Sequence, residues 1–219
     1  MGSLFLARHA TTDASASGRN LGGRNDAPLS AAGERLAGAL ARAIASEMAE
    51  LPQDRVRLVT SPALRCRSTL APIAEALGVP AAAVEVEAGL LEIDYGAWDG
   101  LTAEQCLARD PAVRAAWLAD PFATRCPGGE SGADVAARAL PIVRELAAWT
   151  AADRSRSAIV MAHNHVNRIV LTDLLGWPMA DYRRRLNQDP AGYNLITFGG
   201  DGPVVRRINA PAAPGVGGE

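Results

Sequence analysis

The sequence predicts an α/β protein, a three-layer α/β/α sandwich whose sheet is mostly parallel. Three short, largely apolar runs support this prediction, at residues 4–7, 56–59 and 158–162. Such runs are typical of strands that are buried on both faces of a parallel sheet. Segments with helical spacing separate the runs, and an alternation of strand and helix requires crossover connections, which favour parallel strands.

The first predicted strand, "LFLA" at 4–7, precedes a helix with Ser30 as its N-cap. A serine at this position accepts a hydrogen bond from a backbone amide in the first helical turn. Apolar residues three and four positions apart define the buried face of this helix. That face consists of Leu36, Leu40, Ala43 and Ile44.

The second predicted strand, at 56–59, precedes a helix from Pro62 to Leu77. Gly78 is the residue type that commonly follows a helix, and Pro80 prevents its continuation. A longer amphipathic helix precedes the third strand at 158–162. Its apolar face consists of Val135, Ala139, Ile142, Val143, Leu146 and Trp149.

The last two apolar runs predict a terminal hairpin on the sheet. They are "NLITF" from Asn194 and "VVRRI" from Val204, joined by "GGDGP". We therefore expect one domain over residues 1–209 and a flexible tail over 210–219, where too few apolar residues remain to be buried. Residues 93–129 mix Gly, Asp and Pro with short helical pieces, which predicts a small cap over a site.

The composition excludes several classes of protein. A chain of 219 residues with 48% hydrophobic residues can bury the core of a single domain. The net charge of -2 and the absence of like-charge runs argue against a nucleic-acid partner. No apolar segment approaches the roughly 20 residues that span a bilayer. Three cysteines without CxxC spacing, and no leader sequence, favour a reduced, cytoplasmic protein.

Polar side chains follow each of the three predicted parallel strands. Arg8 and His9 follow the first, Ser61 and Arg65 the second, and His163 the third. Because ligands of open parallel sheets bind beyond the carboxyl ends of the strands, we expect these side chains to share one crevice. The planar guanidinium of arginine matches the oxygens of a phosphate. The sequence therefore predicts a phosphate site in which His9 attacks phosphorus.

Several motifs carry a resemblance to a known family, and they occur in its order between residues 4 and 198. They are "RHATT" at 8–12, "GRNDAPLS" at 23–30, "SPALRCRST" at 61–69, "LLEIDYGAWDG" at 90–100, "PGGES" at 127–131 and "AHNHVNR" at 162–168. Together they resemble the histidine phosphatase superfamily, also called the phosphoglycerate mutase-like family. The resemblance implies the phosphoglycerate mutase-like form of the α/β/α fold.

The resemblance also implies a two-step phosphoryl transfer through a phosphohistidine on His9, without a metal or other cofactor. His163 matches the second catalytic histidine and would donate to a phosphoryl oxygen. Arg8 and Arg65 would hold the dianion and keep His9 unprotonated, because nearby cations lower the pKa of an imidazole. Two further phosphate-binding candidates are Thr12 and Asn164. For Thr12, satisfying the backbone after the strand is an equal alternative.

Glu92 is the candidate general acid. It would protonate the leaving alkoxide and then accept a proton from the attacking water. Asp94 is the fallback, since on a strand the two carboxylates would lie on one face.

The chain departs from the family's motifs at positions that favour a distinct substrate preference. Ala10 stands where the family has glycine, Ser15 where it often has asparagine, and Asn164 and His165 where it has two glycines. We expect His165 at the rim of the site. Candidate specificity residues are Ser15, Arg24 and His165, and the cations among them, with Arg19, hint at a second anionic group on the substrate.

The expected activity is hydrolysis of small phosphomonoesters, so the partner is a small phosphorylated metabolite. Phosphoglycerate mutase-type transfer is the alternative; the short segment between Glu92 and Glu130, without an extra Arg-Arg pair, favours hydrolysis. Two alternatives are less favoured. One is a zinc hydrolase that uses His9, His163 and His165, the last two on one face of a strand. The other is a non-catalytic protein that binds a phosphorylated ligand. Family analogy suggests a homodimer.

Overall fold

The computed structural model describes residues 2–48, 53–199 and 202–212. Six strands form one sheet: β1 (Ser3–Arg8), β2 (Val56–Thr60), β3 (Glu85–Val86), β4 (Ser157–Ala162), β5 (Tyr193–Gly199) and β6 (Gly202–Ala210). The helices are α1 (Asp13–Ala16), α2 (Ala31–Glu47), α3 (Leu64–Ala76), α4 (Ala103–Arg109), α5 (Pro111–Ala119), α6 (Gly132–Ala151) and α7 (Asn164–Leu174).

The sheet has the order β3-β2-β4-β1-β5-β6. Four neighbouring strands, β3, β2, β4 and β1, are parallel, and β5 and β6 form the antiparallel hairpin at the other edge. This topology confirms the mostly parallel sheet and the terminal hairpin. The parallel strands β2, β4 and β1 lie side by side, which brings their carboxyl ends to one edge.

The central strand β1 contributes side chains to both faces of the sheet because alternate residues point in opposite directions. Leu4 and Leu6 pack against α6 and α7, whereas Phe5 and Ala7 pack against α2 and α3. Helices therefore cover both faces, which confirms the α/β/α sandwich. Residues 93–129 add α4, α5 and two buried tryptophans, Trp98 and Trp117, to the α6 and α7 side.

Several predicted helix ends agree with the structure. The side chain of Ser30 accepts a hydrogen bond from the Gly33 amide at the start of α2. Helix α3 ends at Ala76, and Gly78 adopts a positive φ of 67° just beyond it, a conformation that glycine adopts at little cost. Within the described residues, no helix is long and apolar enough to cross a bilayer.

Three local predictions are wrong. Asn209 and Ala210 belong to β6, so the tail does not begin at residue 210; residues 213–219 lie outside the described part of the chain. Glu92 and Asp94 lie in an irregular segment and not on a strand. His163 is the N-cap of α7 and His165 lies in its first turn, so helical geometry, and not strand alternation, sets their directions.

Helix α2 packs against the loop that follows β1. Backbone and side-chain groups of Ser30 donate hydrogen bonds to the Thr11 carbonyl at 3.0 and 3.2 Å. A Cβ on Gly33 would lie 2.0 Å from the same carbonyl oxygen. The absence of a side chain at Gly33 therefore lets α2 position the residues that immediately follow His9.

We expect Gly33→Ala to lower the free energy of unfolding by about 2–4 kcal/mol, because the methyl group overlaps backbone that cannot move freely. Gly38→Ala is the matched control on the same helix, since its Cβ would meet nothing closer than an Arg42 nitrogen at 3.7 Å. Greater helix propensity should make that variant more stable by about 0.5–1 kcal/mol. Urea denaturation of both proteins measures the difference; equal effects of the same sign would contradict the packing argument.

Candidate active site

The carboxyl ends of β1, β2 and β4 bring the two histidines together. Arg8 lies level with Ala162 in the sheet, and the His9 amide donates to the Ala162 carbonyl at 3.1 Å. His163 follows directly, and its ring centroid lies 5.2 Å from that of His9. The register of β1 against β4 thus places both imidazoles on one side of a single crevice.

The protonation state of His9 follows from one hydrogen bond. Its Nδ1 lies 2.8 Å from the Ala10 carbonyl oxygen. A carbonyl only accepts, so Nδ1 carries the proton, and Nε2 of the neutral ring keeps its lone pair. The Ala10 amide in turn donates to the Thr69 hydroxyl at 3.0 Å, which fixes the backbone beneath the ring. His9 is therefore held as the tautomer in which Nε2 can act as a nucleophile.

The surroundings of His9 favour its neutral form. Burial lowers the pKa of His9 well below 6.5, and the positive charges of Arg8 and Arg65 lower it further. Both effects act in the same direction because each penalises the imidazolium. The ring is consequently unprotonated at neutral pH.

Two arginines flank His9, and backbone carbonyls hold them. Arg8 donates to the carbonyl of Gln188, and Arg65, which is fully buried, donates to the carbonyls of Asn25 and Gly22 at 2.6 and 3.3 Å. The Nε atoms of both arginines are buried without a hydrogen-bond partner within the described residues. Carbonyls orient these guanidinium groups without neutralising them, so their charge remains available to an anion.

His163 is held by Ser61, which follows β2. Its Nε2 lies 2.8 Å from the Ser61 hydroxyl, and the Cys66 sulfur lies 3.4 Å from the same nitrogen. Burial, together with His9, Arg65 and Arg8, lowers the pKa of His163 well below 6.5. Burial also raises the pKa of Cys66 to about 12, so this residue remains a thiol beside the imidazole.

Glu92 is the acidic group of the site. Its carboxylate accepts hydrogen bonds from the amides of Ile93 at 3.0 Å and His165 at 3.3 Å. Burial raises the pKa of Glu92 above 4.5, although these bonds and the nearby Arg65 and Arg8 act in the opposite direction. The buried carboxyl is therefore easier to protonate than an exposed one.

The site's residue types and chain order match a known family. Residues 4–211 match the histidine phosphatase superfamily (branch 1). The chain belongs to this superfamily. It is a phosphatase that acts on small phosphomonoesters.

Individual relatives of this histidine phosphatase are phosphatases too. Glucosyl-3-phosphoglycerate phosphatase of Mycobacterium tuberculosis is 35% identical over 185 residues, 82% of this chain and 78% of the relative. Phosphoserine phosphatase 1 of Hydrogenobacter thermophilus is 28% identical over 208 residues, 94% of this chain and 91% of that protein. The structure of a mycobacterial glucosyl-3-phosphoglycerate phosphatase with inorganic phosphate has a TM-score of 0.79 and 29% identity, and covers 97% of this chain and 99% of that one.

The candidates Thr12 and Ser15 form a helix cap in this histidine phosphatase. The Thr12 hydroxyl accepts from the Ser15 amide and donates to the Ser15 hydroxyl, both at 3.1 Å, and Ser15 reaches back to the Thr12 backbone. Thr12 is completely buried. Its hydroxyl is thus used within the protein, the second of the two predicted roles, and specificity at Ser15 stays a prediction.

The expectation that His165 lies at the rim of the site is wrong. Only 1% of the residue is exposed, and its two ring nitrogens lie 2.9 Å from the Tyr95 hydroxyl and 2.7 Å from the Tyr182 hydroxyl. Burial, Arg183 and Arg168 lower its pKa well below 6.5. His165 is a neutral interior residue and adds no cation, because two tyrosines satisfy its ring far from water.

The three-histidine zinc alternative is wrong for the same reason. Both ring nitrogens of His165 are hydrogen bonded to tyrosines, so neither is directed at His9 and His163. Across residues 2–48, 53–199 and 202–212, no group of three or more His, Cys, Asp or Glu residues is arranged to hold a metal ion.

Asp94 and Arg24 satisfy each other's charge outside the histidine pair. The Arg24 guanidinium, whose side chain is 76% exposed, lies 2.7 Å from the Asp94 carboxylate, which also accepts from the Gly96 amide. Asp94 is therefore a poor substitute for Glu92. Arg24 borders an open cleft that Glu92 also lines, and its role in specificity stays a prediction.

The buried Oδ1 of Asn164 has no partner in the described residues, and phosphate binding by Asn164 likewise stays a prediction.

Sequence reasoning missed the residues that hold Arg8. A buried pair of amides, Gln188 and Asn194, exchanges hydrogen bonds at 3.1 and 2.7 Å, and Asn194 also donates to the Leu6 carbonyl at 2.8 Å. This pair attaches the loop before β5 to β1, and the Gln188 carbonyl then receives Arg8. The only local signal is an asparagine inside an otherwise apolar strand, at a position that polar residues rarely occupy without a partner.

Proposed function

We propose that this phosphatase works in two steps through a phosphohistidine on His9, with its own side chains supplying the acid, the base and the positive charge. The His9 Nδ1 bond to the Ala10 carbonyl is the observation that carries the proposal. It holds the ring in the tautomer whose Nε2 lone pair attacks phosphorus, between two arginines that donate to backbone carbonyls. No step calls for a metal or other cofactor.

In the first step His9 Nε2 forms a bond to phosphorus while the bond from phosphorus to the alcohol oxygen breaks. Arg8 and Arg65 stabilise the charge that spreads over the equatorial oxygens. A bound dianion raises the pKa of His163, opposing the arginines, so that the protonated ring donates to one of these oxygens. Glu92 gives its proton to the leaving alkoxide.

In the second step water attacks the phosphohistidine. The Glu92 carboxylate takes a proton from that water, the bond between phosphorus and nitrogen breaks, and the lone pair returns to His9 Nε2. Inorganic phosphate leaves, and Glu92 is again protonated. One carboxyl group serves as acid and then as base because both reacting oxygens occupy the same side of phosphorus in turn.

The stereochemical course at phosphorus tests the two-step scheme even when no intermediate accumulates. With a phosphorothioate monoester made chiral by two oxygen isotopes and hydrolysed in water that carries the third, the product is a chiral thiophosphate, and two successive in-line displacements give overall retention of configuration. We expect retention, in buffer that contains EDTA. Inversion would show direct attack by water and remove His9 as the nucleophile.

The substrate is a small phosphorylated metabolite, and water is the final acceptor. Mutase-type transfer predicts a different product: the phosphoryl group of labelled phosphoglycerate would move to the isomer faster than it is released as phosphate. A cytoplasmic location and a homodimer, both expected from the sequence, stay predictions; sedimentation velocity of the purified chain tests the dimer.

A further inference from the structure

Two arginines outside the phosphate pocket lack a balancing carboxylate. Across the three described ranges, neither Arg168 nor Arg183 forms an ion pair with Asp or Glu, and the Nε of each is buried without a hydrogen-bond partner. Arg168 is 9% exposed. Burying a cation without a counter-ion costs free energy, so this arrangement calls for an explanation.

The neighbouring arginines show that the chain neutralises such charges elsewhere. Arg184 and Arg185, directly after Arg183, both pair with the Asp181 carboxylate. Asp181 thus serves the two exposed arginines and leaves Arg183 unpaired. Within the described residues, the half-buried Arg183 contacts the Trp117 ring and forms no ion pair.

The loop before β5 holds Arg168 beside the phosphate-binding Arg8. Arg8 donates to the Gln188 carbonyl, and Arg168 donates to the side-chain oxygen of the adjacent Asn187 at 3.2 Å. Two guanidinium groups that bind neighbouring residues of one loop lie close together. Burial lowers the pKa of Arg168, and the positive charge of Arg8 lowers it further.

A short series of contacts connects Arg183 to Glu92. Its guanidinium carbon is 4.5 Å from the centre of the Trp117 ring, and that ring is 6.0 Å from the ring of His165. The His165 amide contacts both oxygens of Glu92, the proposed acid for the leaving group. The chain of contacts therefore runs from Arg183 through Trp117 and His165 to Glu92.

We propose that Arg168 and Arg183 form a second anion subsite, which binds a carboxylate on the alcohol portion of the phosphomonoester. The proposal rests on the proposed function, because Glu92 defines the leaving-group side. Asn187 engages one terminal nitrogen of Arg168, and the Trp117 ring packs against the guanidinium of Arg183. The remaining N–H groups form a planar fork of the kind that matches two carboxylate oxygens.

This subsite is an alternative to the second anion site expected from the sequence, which stays a prediction. Arg24 is paired with Asp94, Arg19 donates to the Gly100 carbonyl, and His165 is neutral. Arg24 is thus balanced by a carboxylate and His165 carries no charge, whereas Arg19 keeps its charge and is held by a carbonyl. Within the described residues, Arg168 and Arg183 are cations that no carboxylate pairs with.

A matched pair of substrates tests the subsite. 3-Phosphoglycerate and glycerol 3-phosphate share a carbon skeleton and differ in a carboxylate against a hydroxymethyl group. We expect Arg168→Gln and Arg183→Gln each to lower kcat/KM for 3-phosphoglycerate by about 10- to 100-fold, the loss of one charge-assisted hydrogen-bonded contact. For glycerol 3-phosphate the change should stay below about threefold.

The controls separate this inference from the proposed function. Arg184→Gln removes an exposed neighbouring charge and should leave the substrate preference unchanged, while Arg183→Lys should recover part of it. Turnover of p-nitrophenyl phosphate, which has no carboxylate, reports on the phosphoryl transfer alone. Equal losses on both substrates, with p-nitrophenyl phosphate turnover retained, would overturn the subsite only. No turnover of p-nitrophenyl phosphate by the wild type would instead overturn the proposed function.

Discussion

We expect His9→Ala to lower kcat/KM for p-nitrophenyl phosphate by at least about 10⁴-fold, because the variant loses the nitrogen that we propose forms the covalent intermediate. Fixed positive charge from Arg8 and Arg65 would remain, but it cannot replace a nucleophile. Steady-state assays at saturating and limiting substrate measure the loss. The main effect should be on kcat, since the arginines still bind the phosphoryl group.

The cavity left by His9→Ala offers a control for misfolding. The removed ring is almost fully buried against the Ala10 backbone and edge-on to His163, so added imidazole should occupy the same space. We expect free imidazole to restore part of the activity and thermal unfolding to remain cooperative. A variant that keeps a tenth of wild-type activity would contradict nucleophilic attack by His9.

We expect Glu92→Gln to lower kcat/KM more strongly for substrates whose leaving group is more basic. An alkyl phosphate releases a strongly basic alkoxide that needs the Glu92 proton, so kcat/KM should fall by about 10²–10⁴-fold. p-Nitrophenolate is a weak base and leaves without a proton, so its ester should lose less than about tenfold in the first step. Comparing the two substrates by single-turnover kinetics isolates this step from the later attack of water.

The pH profile provides a second readout for Glu92. The acid must be protonated, so activity on alkyl phosphates should decline as pH rises through its pKa, which burial places above 4.5. Glu92→Gln should remove the contribution of Glu92 to that decline and leave the contribution of His163. Asp94→Asn is the matched control, because Asp94 is paired with Arg24, and should change the rate by less than about threefold. An equal effect of both substitutions would show that Glu92 is not the acid.

Sequence patterns that depend on near neighbours predicted local structure well. Ser30 caps α2 through a residue three positions away, and Gly78 adopts a positive φ just beyond α3. The alternating directions of β1 side chains placed Leu6 and Ala7 on opposite faces. These features follow from backbone geometry over a few residues, which any stretch of sequence specifies directly.

The directions of polar side chains were harder to predict where their partners are distant in the chain. His165 was expected at the rim, but its ring meets Tyr95, 70 residues earlier, and Tyr182, 17 residues later. The sequence leaves both phosphate and backbone open as partners of Thr12, and in the structure its hydroxyl contacts the amide and hydroxyl of Ser15. Residue type indicates what a side chain can bind, but its position relative to other elements determines what it does bind.

The sequence by itself determined the α/β class, the order of the strands and helices along the chain, and the residue types that could handle a phosphate. Only the tertiary structure decided which charges are neutralised: Asp94 pairs with Arg24, Asp181 pairs with Arg184 and Arg185, and no carboxylate of the described residues pairs with Arg168 or Arg183. The physical reason is that charge pairing acts over a few ångströms in space, and the separation of residues along the chain does not reveal that distance.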